Sequence, residues 1–193
     1  MSSRDRILQA VKQAQPDKHP LPDLSAIPLK FDDAVAKFIE VLSIIGATVK
    51  RLPKTEFQAE LIDYIGEGKN VVNTISEFVL DFASPDKTLA PQTYDNLDYS
   101  IIPGQLGVAE NGAIWVTDNE FQIRALPFIC EHLILVISAE TIVHNMHEAY
   151  DKIGIDNPGF GAFIAGPSKT ADIEQSLVLG AHGPRFMTAY VLE

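Results

Sequence analysis

The sequence is poor in thiols, in basic residues and in long apolar runs. Cys130 is the only cysteine among 193 residues. That excludes an internal disulfide and suits a reducing cytoplasm. It also means that the chain alone holds no iron–sulfur cluster, because such clusters take about four ligands, mostly thiolates. Lysine and arginine number 15 against 26 aspartates and glutamates, giving a formal net charge of −11. A chain with so little basic surface has few counterions to release from a phosphate backbone, and anionic lipid would repel it, so neither nucleic acid nor a membrane surface is an expected partner. The longest clear apolar run, "LILVI" at 133–137, is far too short to span a bilayer. The first residues, "MSSRDRILQAVKQ", scatter charge where a signal peptide needs an apolar stretch. The expectation is a cytoplasmic protein.

What remains is ordinary globular material, 46% apolar and 21% charged, in a chain long enough to bury a sizeable core. Residues 1–30 read as an appendage. Ile7, Leu8, Val11 and Ala14 line one face of a short helix, and Pro16, Pro20, Pro22 and Pro28 then force an extended arm. Such a helix packs on this molecule or on a neighbouring copy. Residues 31–193 form the main domain. Phe31, Ala34, Val35, Phe38, Ile39, Leu42 and Ile45 recur at helical spacing, and Gly46 is placed to end that helix.

Beyond it, "ATVKRL", "NVVN", "YSIIP", "GAIWVT", "HLILVIS", "FGAFIAG" and "FMTAYVL" read as strands. Helices are expected at 54–66, from Ser76 to Phe82, near 121–130, at 139–153 and over 170–176, with a turn-rich region at 84–98. "HLILVIS" does not alternate, as befits a strand buried on both faces. The alternation of strands and helices predicts an α/β fold, an open and mainly parallel sheet with helices on both faces.

Three stretches carry candidate chemistry. In "AGPSKTADIEQSLVLGAHGP" (165–184), a strand leads through Lys169 to a helix expected to begin near Ala171. Free N–H groups there, with Lys169 beside them, would suit a carboxylate or phosphate beyond the carboxyl ends of the strands. Asp172 and Glu174 would already complement that helix end, so a plain capped helix is equally open. Gly180 and Gly183 flank His182, which could sit exposed at a loop tip. In "GVAENGAIWV" (107–116), Glu110 could face a cleft, while Asn-Gly at 111–112 is also a hairpin signal. In "HNMHE", His144 and His147 fall three apart with Glu140 one turn before, a spacing that can hold a metal, but no third ligand is identifiable and no metal is expected. Trp115 reads as core.

The block "FIAGPSKTADIEQSLVLGAHGP", together with "GVAENGAIWVTD" and the "LP" at 126–127, resembles the signature of the LUD-domain family, to which lactate utilisation protein C belongs. The resemblance covers roughly residues 30–193, and the proline arm is typical of it as well. It implies the fold of the superfamily of sugar-phosphate isomerases and CoA-transferases. It also implies a part in the bacterial oxidation of L-lactate to pyruvate, in a three-protein system whose cysteine-rich partners carry the iron–sulfur clusters. Carried onto this chain, it makes Glu110 and His182 catalytic candidates. Gly166, Ser168, Lys169, Thr170, Asp172, Glu174 and Gly183 become candidates for binding a small anion. The family more often has threonine or serine where this chain has Asn111. "AENG" also resembles the motif in which a glutamate of CoA-transferases attacks a thioester, which would make Glu110 a nucleophile. A third possibility is a non-catalytic scaffold for the redox partners.

Overall fold

The computed structural model describes residues 2–17, 19–20, 22, 29–154, 159–171 and 177–193. Its helices are α1 (Ser3–Gln13), α2 (Ala34–Ile44), α3 (Lys54–Ile65), α4 (Asp118–Phe121), α5 (Leu126–Ile129) and α6 (Met146–Ile153). Its strands are β1 (Thr48–Leu52), β2 (Val71–Asn73), β3 (Tyr99–Pro103), β4 (Leu106–Val108), β5 (Ala113–Thr117), β6 (His132–Ser138), β7 (Ile142–Val143), β8 (Gly161–Ile164), β9 (Lys169–Ala171), β10 (Leu177–Leu179) and β11 (Phe186–Leu192). Among the described residues no helix is long and apolar enough to cross a membrane.

The central sheet has five parallel strands in the order β1-β11-β6-β3-β2. β6 lies in its middle and is apolar on both faces, because both are covered. Ile134 and Val136 pack with Phe57, Leu61 and Ile65 of α3 on one side. Leu133, Leu135 and Ile137 pack with Phe38 and Leu42 of α2, Phe121 of α4 and Leu126 of α5 on the other. The expected α/β architecture with covered faces is therefore present.

A second sheet, β7-β4-β5-β8, was not foreseen as separate. "GAIWVT" and "FGAFIAG" join it rather than the central sheet, and β5 runs antiparallel to both its neighbours. Its inner residues Ile114 and Val116 close the α2 side of the main core, while Leu106, Val108 and Ala113 face α6 in a small core of their own.

Several expected helices are cut short for local reasons. None forms from Ser76 to Phe82: the Asn73 side chain donates to the Ile75 carbonyl and accepts from the Ile75 N–H, holding the chain in a turn. The helix near 121–130 is two single turns, interrupted where Gln122 takes a φ of 60°. The helix expected at 139–153 begins only at Met146. Ile142 and Val143 are drawn into the second sheet, and Asn145 caps the helix by accepting the Glu148 N–H. At Lys169–Ala171 there is no helix start but a strand, paired antiparallel with β10; residues 172–176 lie outside the described residues.

Candidate functional site

The parallel registers set Tyr99, His132 and Phe186 in one row, the first residues of β3, β6 and β11. The segments that lead into these strands meet over that row. Glu131 N donates to Leu97 O (3.0 Å), His132 N to Asp98 O (2.9 Å), and Arg185 N to Glu131 O (2.8 Å). Together they enclose a polar cleft of about 570 Å³, walled by Asp95–Asp98, Phe128–Glu131, Gly180–Gly183 and Arg185. It continues through Asp98 and Glu131 into a hollow of about 340 Å³ lined by Lys69, Tyr99, His132 and Phe186.

The sequence expectation put a ligand beyond the carboxyl ends of the strands. The loop carrying His182 instead lies at the amino edge of the central sheet, because 180–185 feeds directly into β11. At the carboxyl edge, a smaller hollow of about 200 Å³ lies between Gly104, Ser138 and the Lys54–Glu77 ion pair. None of its residues was singled out from sequence.

The glycines of the 165–184 stretch are explained by close approach. Gly180 has a φ of +80°, and a Cβ there would come within 2.9 Å of the Cβ of Arg185. Gly183 lies against Ser168, whose N–H donates to Pro184 O (2.9 Å) and whose carbonyl accepts from Gly180 N (3.1 Å). Ser168 thus braces the wall from behind, while His182 and Gly183 form part of its surface; Gly166 does not touch it and lies instead against Ile45 at the end of α2. Lys169 does not reach it. Its ammonium donates to the Ile45 carbonyl at the end of α2, close to Gly46. Thr170 pairs with Val178 in the β9-β10 ladder, so the free helix-end amides expected there are not formed. Asp172 and Glu174 lie outside the described residues.

Glu110 is in another layer. The β4-β5 turn is the hairpin that Asn111-Gly112 signals: Gly112 has a φ of +68°, its N–H donates to Val108 O (2.8 Å), and Asn111 Oδ1 accepts from Ala113 N (3.0 Å). The Glu110 carboxylate accepts the Met146 N–H (3.0 Å), the first amide of α6. His144 precedes that helix and its Nδ1 accepts from Phe31 N (3.1 Å), so it shares no helix face with His147. Among the described residues no three histidines, cysteines or acids gather as a metal site.

The electrostatics of the cleft are mixed. Asp98 lies 3.6 Å from Lys69 and accepts the Asn70 N–H (2.8 Å), so its charge is partly answered. Arg185 makes no ion pair among the described residues, and its guanidinium lies 5.3 Å from the Phe186 ring centre. Burial pushes the Cys130 thiol up to about 12 and draws the His132 imidazole down to about 4. Burial also raises the Tyr99 phenol. Sequence reading missed Arg185, Asp98, Glu131, Tyr99 and His132, which carry no motif; only strand register brings them together.

The LUD domain family model matches residues 84–192, more than half of the chain and every residue walling the larger cleft. Lactate utilization protein C of Oceanobacillus iheyensis is 30% identical over 51% of this chain and 45% of its own length. The protein of the same name from Bacillus pumilus is 37% identical over 45% of this chain and 38% of its own. The aligned part thus spans less than half of either relative. An uncharacterized protein of Neisseria meningitidis is 24% identical over 96% of this chain and 91% of its own. In structure, a DUF162 family protein from Deinococcus radiodurans shares the fold, with a TM-score of 0.69, 17% identity, and coverage of 86% of this chain and all of that one.

Proposed function

The chain belongs to the LUD-domain family, and on that premise we propose that it serves bacterial lactate utilisation in the cytoplasm, as the member of an L-lactate-oxidising system that holds a small carboxylate in the amino-edge cleft. The observation that carries this reading is the overlap of two things: the relatives are named for lactate utilisation, and the family match contains the whole cleft wall. Arg185 supplies the cation for the carboxylate, and His182, three residues earlier on the same loop, is the proton acceptor for a hydroxyl beside it. Gly183 keeps that loop bare, and Ser168 braces it.

Oxidising L-lactate to pyruvate releases two electrons and two protons, and the electrons leave through iron–sulfur clusters. Those clusters belong to cysteine-rich partner proteins, since the single thiol of this chain is buried and hard to ionise. The covered parallel sheet supports placing the fold in the superfamily of sugar-phosphate isomerases and CoA-transferases. The acyl-transfer role for Glu110 is disfavoured, because its carboxylate is committed to the α6 amide. A scaffold role has one feature in its favour: every described residue from 2 to 17 is exposed, including Ile7, Leu8 and Val11 of α1, which leaves an apolar face for another protein.

The test is a clean deletion in a host with no second lactate-oxidising route. The strain should fail on L-lactate as sole carbon source, grow normally on glucose, and recover when the full chain is restored. Normal growth on lactate would overturn the reading.

A further inference from the structure

We propose that α1 is an exchanged arm, whose apolar stripe docks on the outer face of α3 of a second copy of this chain. Two chains then pair by doing so reciprocally. Neither surface lines the amino-edge cleft, so the inference does not depend on the lactate reading.

α1 is specified locally but left uncovered. Ser2 and Asp5 form a reciprocal capping box at its start, and Ile7, Leu8 and Val11 follow on one side of it. None of its residues is buried, and all three of these apolar side chains are exposed. A helix of 11 residues is marginal in water by itself, so packing of that stripe is what completes it. Residues 14–33 join α1 to α2. Drawn out, a segment of that length reaches at most about 65 Å, enough to carry α1 onto a neighbouring copy.

α3 presents the matching surface. Phe57, Leu61 and Ile65 turn into the core, so Ala59 and Ile62 lie on the outer side, and both are exposed, Ile62 by 48%. Gln58, one turn before Ile62, donates Nε2 to Val79 O (2.6 Å), which sets Val79, 87% exposed, beside them. Glu56 and Asp63, both exposed, flank this apolar strip. Arg4 and Lys12 flank the stripe of α1, with Leu8 midway between them. The two cations stand about 12 Å apart along α1 and the two acids about 10 Å apart along α3, so either helix orientation pairs them. None of the four makes an ion pair among the described residues. Asp5, the one acid of α1, is engaged with Ser2. The same charges disfavour α1 against a second α1, where the cations of one helix would face those of the other. A second copy offers two α1–α3 contacts at once about a two-fold axis.

The test is sedimentation velocity of the full chain over a range of concentrations at low salt. It should show a monomer–dimer equilibrium that shifts toward monomer as salt rises. Two charge-reversed chains are then made, one with Arg4→Glu and Lys12→Glu, the other with Glu56→Lys and Asp63→Lys. In each, like charges meet at both contacts, so self-association should weaken about tenfold or more. All four side chains are exposed, so both chains should keep the melting temperature of the parent monomer. Mixed one to one, they should pair with each other, because opposite charges meet again at both contacts. The proposal is overturned if the parent is monomeric at every concentration, if either reversed chain dimerises as the parent does, or if the folded reversed chains fail to pair when mixed.

Discussion

His132 Nε2 lies 2.8 Å from Oγ1 of Thr188, across the β6-β11 pair, and the Thr188 hydroxyl is in turn 3.0 Å from the Tyr64 hydroxyl. A neutral imidazole fits this chain, in which Nε2 and the two hydroxyls each have a hydrogen-bond partner. Tyr99 stacks on the ring at 4.9 Å and Phe186 leans on it at 5.8 Å, so a charged imidazole would lose hydration there. Burial accordingly holds His132 down to about 4.

The consequence for stability has a definite sign. In the unfolded chain His132 takes a proton near pH 6.5, but in the folded chain only near 4. The unfolded state therefore binds more protons between those values, and stability present above pH 6.5 is lost as pH falls to about 4. For a half-buried ring this amounts to ~1–2 kcal/mol after solvent screening. Melting temperatures from pH 7.5 to 4 should decline more steeply in the parent than in His132→Gln. Equal slopes would show that His132 is not the titrating group.

Glu110 makes a different demand. As the partner of the first α6 amide it should matter to stability and not to acyl transfer. Glu110→Ala should cost about 1 kcal/mol, the scale of a lost helix cap, while Glu110→Gln keeps an acceptor and costs less. Incubation with an acyl-CoA followed by hydroxylamine should leave no mass change on the protein. A trapped adduct at Glu110 would restore the nucleophile reading.

How far the sequence reveals this protein depends on the range of the interactions that decide each feature. β6 and α2 are legible because "HLILVIS" and the spacing from Phe31 to Ile45 encode their burial locally. The second sheet is not, because whether β5 and β8 join the central sheet or each other is settled by long-range pairing and by glycines such as Gly104, where a Cβ would meet Ile114 and Ile137 within about 2.5 Å. β9 has three residues, too few to show a period of two, and Lys169-Thr170-Ala171 reads equally well as a helix start. The walls of the cleft are legible only in part for the same reason. His182 and Gly183 stand in a recognisable block, whereas Arg185, Asp98 and His132 meet only through strand register. With the 180–185 loop feeding β11, the cleft falls at the amino edge and not the carboxyl one.

Cys130 tests the assignment of the clusters to partner proteins. It is 2% exposed, and burial lifts its thiol to about 12, so almost none is thiolate at neutral pH. The native protein should resist a disulfide reagent such as dithionitrobenzoate at pH 8 and release one equivalent of thiol only on unfolding. Rapid labelling of the native chain would mean that Cys130 is open to ligation after all.

The cleft itself separates two cations that the sequence could not tell apart. Lys169 and Arg185 both stand near the His182 loop in the chain, but only Arg185 lines the cleft, and Lys169 is held at the Ile45 carbonyl. A charge-assisted contact is worth about 1.5–3 kcal/mol, so Arg185→Ala should weaken lactate or pyruvate binding roughly ten- to a hundredfold. His182→Ala should weaken it too, and because both residues are exposed, neither change should move the melting temperature much. Binding should also weaken as salt rises, since contacts at an open cleft are screened. Lys169→Met should do the reverse, lowering stability by no more than ~1 kcal/mol through the lost charge at the end of α2 while leaving affinity intact. Calorimetry with lactate on the three variants decides it. If Lys169→Met loses binding and Arg185→Ala keeps it, the anion sits on the α2 side of the loop and the cleft is not its site.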